Sequence, residues 1–328
     1  MRRTLILGGT AWVGAELARR ALRDGSEVTC LARGTSGEAP SGVTFIQADR
    51  SKPGAYDQLL GDWDEVIELT DHQELAASAL DALAARARHW TLISTVSVYR
   101  RNDEVGADES AELVEVKDLN DYAQAKVAAE RTTAERLSDR LLTVRPGLIV
   151  GPGDPSDRFG YWPARFHRGA QVLIPSTADR FVQVIDVADL VSWILEAGRE
   201  QLTGTFNAVG HSWPLEEFFA EVRAATGFDG ELVSGDDAWL IDHEVHHWAG
   251  PHSLPLWLPS SFTGFARRSN AAFLAAGGHL RPLRETIHRV LADEVARGAG
   301  RRRRSGLSAD EETHLLSQYH ASPSHQGR

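Results

Sequence analysis

The sequence predicts an α/β fold in which a doubly wound parallel sheet is followed by a smaller and less regular C-terminal lobe. Three observations support this prediction. Apolar strand-like segments alternate with helix-like segments through the first 150 residues, a glycine-rich turn joins the first strand to the first helix, and glycine and proline become frequent after Gly151. With 328 residues, 42% of them apolar, the chain can bury a sizeable core.

Hydrophobic periodicity defines the elements of the first half. In chain order they are a strand at 3–7, a turn at 8–14, a helix at 15–25, strands at 27–33, 45–49 and 65–70, a helix at 73–88, a strand at 90–95, a helix at 122–137 and a strand at 141–150. Strands and helices that alternate in this way form βαβ units, so the sheet is expected to be parallel. Short strands at 181–186 and 204–209 continue the alternation further along the chain.

We expect three regions. Residues 1–150 form a dinucleotide-binding domain of the Rossmann type, to which elements from about 181–210 return. Residues 151–298 form mainly a substrate-binding lobe, whose Trp- and Pro-rich segment 246–259 is an ordered loop or lid. Residues 299–328 are expected to be a mobile tail. Its run of four arginines, 301–304, predicts a solvated tail, and a nucleic-acid arm is the alternative.

Composition excludes several classes of protein. A net charge of −11 argues against a nucleic-acid partner, since phosphate binding needs clustered basic side chains. The single cysteine, Cys30, excludes an internal disulfide and a Cys-rich metal site, and it fits a reducing compartment, so we expect a cytoplasmic protein. The start of the chain imitates a signal peptide, but Gly8 and Gly9 interrupt its apolar stretch. No apolar run is long enough to span a membrane, so no membrane partner is expected.

The turn between the first strand and the first helix is placed to bind a dinucleotide. There the pyrophosphate of a cofactor would rest on backbone N–H groups and on the positive end of the helix. The residues of this turn are Gly8, Gly9, Thr10, Ala11, Trp12, Val13 and Gly14. Ala11 replaces the middle glycine of the usual spacing, and a tight turn that binds no ligand is the alternative interpretation.

Cofactor preference is predicted from the end of the second strand. An acidic residue there usually binds the ribose 2′-hydroxyl of NAD, but this chain has Ala32 followed by Arg33. A guanidinium suits a 2′-phosphate, so we predict a preference for NADP(H), with NAD(H) possible. Asp49 and Arg50 follow the third strand and are expected to reach the adenine, although a plain surface turn is an equal alternative for Arg50.

A tyrosine and a lysine four residues apart form the candidate catalytic pair. Tyr122 and Lys126 lie on one face of a predicted helix, and an ammonium beside a phenol stabilises the phenolate. A phenol in that setting can exchange a proton with a substrate oxygen. Upstream, the strand that ends in Ser94 and Thr95, with Ser97 beyond it, supplies a hydroxyl that could hold the substrate oxygen.

These motifs make the chain similar to the extended short-chain dehydrogenase/reductase superfamily, in the group called NAD-dependent epimerase/dehydratase, over residues 3–295. The similarity rests on the segments 8–14, 48–50, 94–99, 122–126, 144–154 and 182–190. It implies that Tyr122 is the acid/base, that Lys126 anchors the nicotinamide ribose and tunes Tyr122, and that Thr95 replaces the usual serine. It further implies cofactor contacts from Thr70, Pro146 and Gly147.

Three departures from the family pattern leave the subgroup open. They are Ala11, Arg100 in place of a glycine, and the pair Thr70 and Asp71 in place of a small apolar turn.

His243 to His247 matches the H-E-x-x-H zinc pattern. A third ligand would be expected at Ser253, where none is available, and His252 is offset. Pro251 and Pro255 also shorten any helix there, so no metal is predicted.

Our first functional hypothesis is an NADPH-dependent oxidoreductase that acts on a small carbonyl or alcohol substrate. A nucleotide-sugar epimerase or dehydratase with tightly bound NAD is the first alternative. A non-catalytic dinucleotide-sensing or RNA-associated protein is the second. We expect a small molecule as the partner and a monomer or a homodimer as the oligomeric state.

Overall fold

The computed structural model describes residues 1–70, 72–298 and 300–322, and the chain divides into two compact units. Unit 1 contains Met1–Ile149, Val184–His211 and Arg268–Leu280. Unit 2 contains Val150–Gln183, Ser212–Arg267 and the chain from Arg281 onward.

Strands and helices alternate over much of the chain, as the sequence predicts, although β2, β3 and β4 follow one another without an intervening helix. The strands are β1 (Arg3–Leu7), β2 (Glu27–Ala32), β3 (Thr44–Gln47), β4 (Glu65–Leu69), β5 (Trp90–Ile93), β6 (Leu141–Val144), β7 (Leu148–Val150), β8 (Val172–Pro175), β9 (Phe181–Asp186), β10 (Gly204–Phe206), β11 (Ser212–Pro214), β12 (Leu232–Gly235), β13 (His246–Trp248) and β14 (Ser253–Pro255). The helices are α1 (Trp12–Arg23), α2 (Gln73–Leu83), α3 (Tyr122–Leu137), α4 (Arg158–His167), α5 (Val187–Arg199), α6 (Leu215–Thr226), α7 (Asp237–Asp242), α8 (Ala271–Ala275), α9 (Leu283–Arg297) and α10 (Ala309–Ala321).

Unit 1 is built on a seven-stranded parallel sheet with the order β10-β6-β5-β4-β1-β2-β3. Helices α1 and α5 pack together, and so do α2 and α3. Side chains alternate between the two faces of a strand, so Ile6 joins the cluster of α1 and α5, while Leu5 and Leu7 join the cluster that contains Leu80 of α2. The predicted doubly wound Rossmann fold is confirmed. Its strand order reverses beside β1, between β1 and β4, which is where ligands of such sheets bind.

Local signals set the bounds of the elements. Asp121 caps α3 by accepting a hydrogen bond from the backbone N–H of Gln124 at 2.9 Å, so the helix begins at Tyr122 as predicted. The predicted single strand at 141–150 is instead two strands, β6 and β7. Pro146 lies between them and has no N–H with which to continue a strand ladder.

One segment of the expected substrate lobe belongs to unit 1. In the segment Arg268–Leu280, Phe273 is fully buried with its ring 4.9 Å from that of Trp193 on α5, and the Trp193 indole donates to the carbonyl of Ala276 at 2.9 Å. The expectation that 151–298 is mainly one lobe is therefore corrected at this segment. The physical reason is that Phe273 covers the apolar face of α5.

In unit 2, β8 pairs in parallel with β12, and β9 pairs antiparallel with β11. Helices α4, α6 and α9 pack against each other. Aromatic side chains fill the space between α4 and α6, with Trp162 and Phe166 of α4 lying against Phe219 of α6 at ring separations of 4.7 and 5.9 Å.

The chain from Gly300 to Ser322 differs from the expected mobile tail. It contains α10, which begins with a capping box formed by Ser308 and Glu311. Glu312 of α10 is 1% exposed and accepts hydrogen bonds from Arg165 and Arg168. Asp71, Ala299 and residues 323–328 lie outside the described residues.

Two side chains of the arginine run are paired with acids, contrary to the expected solvated tail. Arg301 and Arg303 bind the buried carboxylate of Glu294 at 2.8 and 2.7 Å, and the backbone N–H of Arg304 donates to Asp157 at 2.8 Å. Within unit 2, these basic groups therefore neutralise buried acids.

The zinc-like pattern does not form a helical ligand pair. His243 follows α7, Glu244 has a left-handed backbone, and His246 begins β13. Within the described ranges, no cluster of three or more His, Cys, Asp or Glu side chains could hold a metal ion. No helix in the described part of the chain is long and apolar enough to cross a membrane.

Candidate active site

Steric contacts in the glycine-rich turn of unit 1 explain its glycines. Gly8 has φ +100°, and a side chain on Gly9 would overlap the Sγ of Cys30. A Cβ on Gly14 would overlap the carbonyl oxygen of Gly8. The turn and the start of α1 therefore pack backbone against backbone, so a ligand can approach the main chain closely. Burial raises the pKa of the Cys30 thiol to about 12, so this cysteine is a packing residue of the turn.

The start of α1 suits an anion. Helix α1 begins directly after Ala11, whose methyl group cannot accept a hydrogen bond from the first turn. The N–H groups of a first helical turn have no intrahelical acceptor and form the positive end of the helix dipole. A pyrophosphate beside Ala11 would satisfy those donors.

A cavity of about 640 Å³ opens beside this turn, at the carboxyl edge of β1, β2 and β4. Seven of the predicted cofactor residues line it: Gly8, Thr10, Ala11, Arg33, Asp49, Arg50 and Thr70. The sequence did not single out other lining residues, among them Thr35, Ser36, His72, Gln73, Glu74, Leu119 and Asn120. The remaining predicted residues do not line this cavity; they are Gly9, Trp12, Val13, Gly14, Thr95, Tyr122, Lys126, Pro146 and Gly147.

The loop after β2 brings two hydroxyl groups to the same cavity as Arg33. Gly37 has φ +151°, and a Cβ at that position would lie 2.7 Å from the carbonyl oxygen of Thr10. The loop that carries Thr35 and Ser36 therefore folds onto the glycine-rich turn. The sequence could not show this arrangement, because a Gly-Thr-Ser-Gly segment by itself predicts only a turn. The close approach of Gly37 to Thr10 in the structure reveals it.

Asp49 and Arg50 have different surroundings. Asp49 accepts hydrogen bonds from the backbone N–H and the hydroxyl of Ser51, at 3.0 and 2.8 Å, and these bonds hold the pKa of its carboxyl below its usual value. Arg50 donates to the fully buried carboxylate of Glu68 at 2.9 Å. Burial raises the pKa of Glu68 despite the opposing charge of Arg50. Arg50 therefore compensates a buried acid on the cavity wall.

Lys126 is fixed by the ends of two strands. Its ammonium donates to the carbonyl of Thr70, the residue after β4, at 2.6 Å. It also donates to the carbonyl of Ile93, the last residue of β5, at 2.8 Å. The Nζ atom lies 5.8 Å from the centroid of the Tyr122 ring. Tyr122 is the first residue of α3 and is 51% exposed. The structure therefore brings Tyr122 and Lys126 together at the carboxyl edge of the sheet.

Thr95 begins the 3₁₀ turn Val96–Val98 that follows β5. Its Oγ1 atom accepts a hydrogen bond from the backbone N–H of Ser97 at 3.1 Å and lies 3.2 Å from the Ser97 hydroxyl. The N–H of Val96 donates to the carbonyl of Pro146 at 3.0 Å, so Pro146 lies beside this turn. A Cβ on Gly147 would lie 3.1 Å from the side chain of Val209.

Comparison with known protein families shows to which family the chain belongs. Residues 4–209 match the NAD dependent epimerase/dehydratase family. The match covers more than half of the chain, and the chain belongs to this family. It is therefore an NAD(P)-dependent enzyme, and the similarity to the extended short-chain dehydrogenases and reductases is confirmed.

Its relatives include both reductases and epimerases. A Synechocystis protein provisionally assigned as a dihydroflavonol 4-reductase is 25% identical over 78% of this chain and 76% of its own length. An Arabidopsis thaliana protein provisionally assigned as UDP-arabinose 4-epimerase 3 is 26% identical over 69% of each chain. The structure of RMD from Pseudomonas aeruginosa complexed with NADPH has a TM-score of 0.65 and 17% identity, over 90% of this chain and 100% of that one. This structural likeness shows the shared fold.

Proposed function

We propose that this enzyme is an NADPH-dependent oxidoreductase that transfers a hydride to a small carbonyl substrate, with Tyr122 as the acid/base. The observation that carries the proposal is the placement of Tyr122 beside Lys126, whose ammonium is fixed by the carbonyls of Thr70 and Ile93. A preorganised cation next to a phenol stabilises the phenolate that remains after proton transfer.

The residues present fit a nicotinamide dinucleotide. Because a Cβ on Gly14 would overlap the carbonyl oxygen of Gly8, only glycine lets the turn lie against the start of α1, and that start lacks a side-chain acceptor at Ala11. The turn of Gly8 to Gly14 would hold the pyrophosphate, and Asp49 would accept from the adenine amino group. When bound, the reduced nicotinamide supplies the hydride.

A preference for NADPH is supported by the loop after β2. Arg33, Thr35 and Ser36 line one cavity, where a guanidinium and two hydroxyls can bind the 2′-phosphate.

In the proposed reaction, the Tyr122 hydroxyl donates its proton to the carbonyl oxygen of the substrate. Lys126 stabilises the resulting phenolate and anchors the nicotinamide ribose. The Thr95 hydroxyl holds the substrate oxygen, and Pro146 and Gly147 shape the wall beside it. We also infer from the sequence a cytoplasmic location and a monomer or homodimer.

The proposal is tested by NADPH oxidation in the presence of a panel of aromatic and aliphatic aldehydes and ketones. Tyr122→Phe should reduce the rate by about 10²–10⁴-fold, because proton donation is lost, while the Kd for NADPH stays within about twofold. Tyr319→Phe is the matched control, since it removes a hydroxyl that donates to the Ser234 carbonyl in unit 2. An unchanged rate in Tyr122→Phe would contradict the proposed role.

The second candidate is a nucleotide-sugar epimerase that keeps NAD bound. The Arabidopsis thaliana relative assigned as a UDP-arabinose 4-epimerase favours it. Such an enzyme would be purified with NAD and would interconvert UDP-sugars without net oxidation of NADPH. Analysis of the nucleotide released from denatured protein separates the two candidates.

A further inference from the structure

The side chain of Tyr99 lies at the centre of a buried polar network in unit 1. Its ring centroid is 5.1 Å from the guanidinium carbon of Arg145 and 4.7 Å from that of Arg268. Its hydroxyl donates to the Oδ1 of Asn207 at 2.6 Å and accepts from Arg145 at 3.0 Å. Tyr99 is 2% exposed, so both the ring and the hydroxyl are fixed by protein contacts.

The partners of Tyr99 are fixed in turn. Arg145 makes a two-point ion pair with Glu130 of α3, at 3.0 and 2.7 Å. The backbone N–H of Asn207, just after β10, donates to the carboxylate of Glu109 at 2.6 Å. Arg268 donates to the carbonyl of Arg101 at 2.6 Å. Side chains from the segments after β6 and β10 and from the segment Arg268–Leu280 therefore meet at Tyr99, and α3 holds one of them through Glu130.

The energetics of this network favour a geometric role over a purely stabilising one. Arg145, Glu130 and Arg268 are all buried. Removing charged groups from water costs free energy that a hydrogen-bonded pair recovers only in part, and apolar side chains of similar volume often stabilise a core as well or better. What the network provides in addition is direction, because charge-assisted hydrogen bonds and cation–π contacts fix orientation.

The network lies directly beside the turn that carries Thr95. This turn is held at its start by the hydrogen bond from Val96 to the Pro146 carbonyl, and near its end by the bond from the Val114 N–H to the Val98 carbonyl at 2.8 Å. Tyr99 follows directly, and its buried side chain anchors the end of the turn in the core together with that of Val98.

We propose that Tyr99 is a positioning residue that fixes the Thr95 hydroxyl, and that Arg268, from a distant part of the sequence, holds the Tyr99 ring in place. The functional consequence rests on the proposed role of Thr95 in binding the substrate oxygen.

The test compares Tyr99→Phe, Arg268→Lys and Arg268→Met with the wild-type protein. Tyr99→Phe keeps the ring but removes both hydroxyl contacts, and Arg268→Lys keeps a cation over the ring. Tyr319→Phe is the matched control, since it removes a hydroxyl that bonds the Ser234 carbonyl in unit 2. Hydrogen exchange of the amides from Val96 to Tyr99 and NADPH affinity are measured for each protein. Carbonyl reduction is measured as kcat and as KM for NADPH.

In Tyr99→Phe, exchange at Val96 to Tyr99 should accelerate about tenfold while exchange in β1 and β2 is unchanged. For the same variant, kcat should fall about 10–100-fold through misplacement of Thr95, with KM for NADPH within about twofold. Arg268→Met should behave in the same way, and Arg268→Lys should recover part of the loss.

Unchanged local exchange in Tyr99→Phe would overturn the proposal. Uniformly faster exchange throughout unit 1 would overturn it as well, because the network would then only stabilise the fold. If the wild-type protein reduces no carbonyl, the proposed function fails, whereas the exchange comparison still decides whether Tyr99 positions the turn.

Discussion

At the scale of single residues, Arg33 is the side chain on which the choice of cofactor depends. It follows the last residue of β2 and shares the cavity with Thr35 and Ser36. Arg33→Ser should weaken NADPH binding by about 10–100-fold, because a charge-assisted hydrogen bond contributes about 1.5–3 kcal/mol. NADH binding should change by less than about threefold, since NADH lacks the 2′-phosphate. Fluorescence titration measures both.

A matched control for Arg33→Ser is Arg23→Ser, which removes an exposed arginine at the end of α1. Its affinity for NADPH should equal that of the wild-type protein. Equal weakening of NADPH and NADH by Arg33→Ser would show that Arg33 does not read the 2′-phosphate.

The sequence could predict Arg33 but not its two hydroxyl neighbours in the cavity. Arg33 stands at a fixed place, the end of the second strand, so strand periodicity alone locates it. Thr35 and Ser36 reach the cavity because Gly37 packs against the carbonyl of Thr10, a contact between residues 27 positions apart (37 − 10). No local pattern encodes such a contact.

At the scale of elements, α10 is the largest difference between expectation and structure. The sequence shows a polar helix after an arginine run, which is typical of a mobile tail. Glu312 instead accepts hydrogen bonds from Arg165, Arg168 and the backbone N–H of Leu173, so it joins α10 to α4 and β8. A buried charge pair cannot be read from composition, because both partners look like surface residues until the fold brings them together.

Removing the Glu312 carboxylate tests whether α10 is an integral part of unit 2. Glu312→Ala should lower the free energy of unfolding by about 3–5 kcal/mol, since it leaves Arg165 buried without its acid. Asp310→Asn is the matched control, as it neutralises an exposed carboxylate on the same helix and should cost about 0.5 kcal/mol or less. Urea denaturation followed by tryptophan fluorescence measures both. An equal, small effect of the two substitutions would show that α10 contributes little to stability.

At the scale of the whole molecule, the alternation of strands and helices was sufficient to predict a parallel, doubly wound sheet. Helices follow β1, β4 and β5, and right-handed crossovers then leave few possible strand orders. The return of Phe273 to α5 could not be predicted in this way. Its five-residue helix, α8, is too short for periodicity to show which core it covers.

Global stability should depend on pH through His89. This side chain is fully buried, with Nδ1 3.2 Å from the Glu65 carboxylate and Nε2 2.8 Å from the Leu202 carbonyl. Burial lowers the pKa of His89, but the hydrogen bond and charge of Glu65, together with the Leu202 carbonyl, outweigh it, and the pKa lies above its usual value. Only the imidazolium can donate to both acceptors at once.

The pKa of His89 is higher in the folded state than the value of about 6.5 in the unfolded chain, so the stabilisation of the fold by protonated His89 is fully present below about pH 6.5. It is lost as the pH rises through the folded-state pKa. We expect the difference in unfolding free energy between the wild-type protein and His89→Gln to be largest near pH 6 and to shrink toward pH 9. His288→Gln, which changes an exposed histidine, is the control. A difference that stays constant or grows with pH would contradict a protonated His89.

The central claim, that a dinucleotide with a 2′-phosphate binds at the turn after β1 beside Arg33, is tested most directly by titrating the purified protein with NADPH and NADH at one salt concentration. We predict micromolar NADPH binding that is about tenfold or more tighter than NADH binding, because only NADPH offers a phosphate to Arg33. Equal affinity, or tighter binding of NADH, would contradict the claim and would favour the NAD-dependent epimerase.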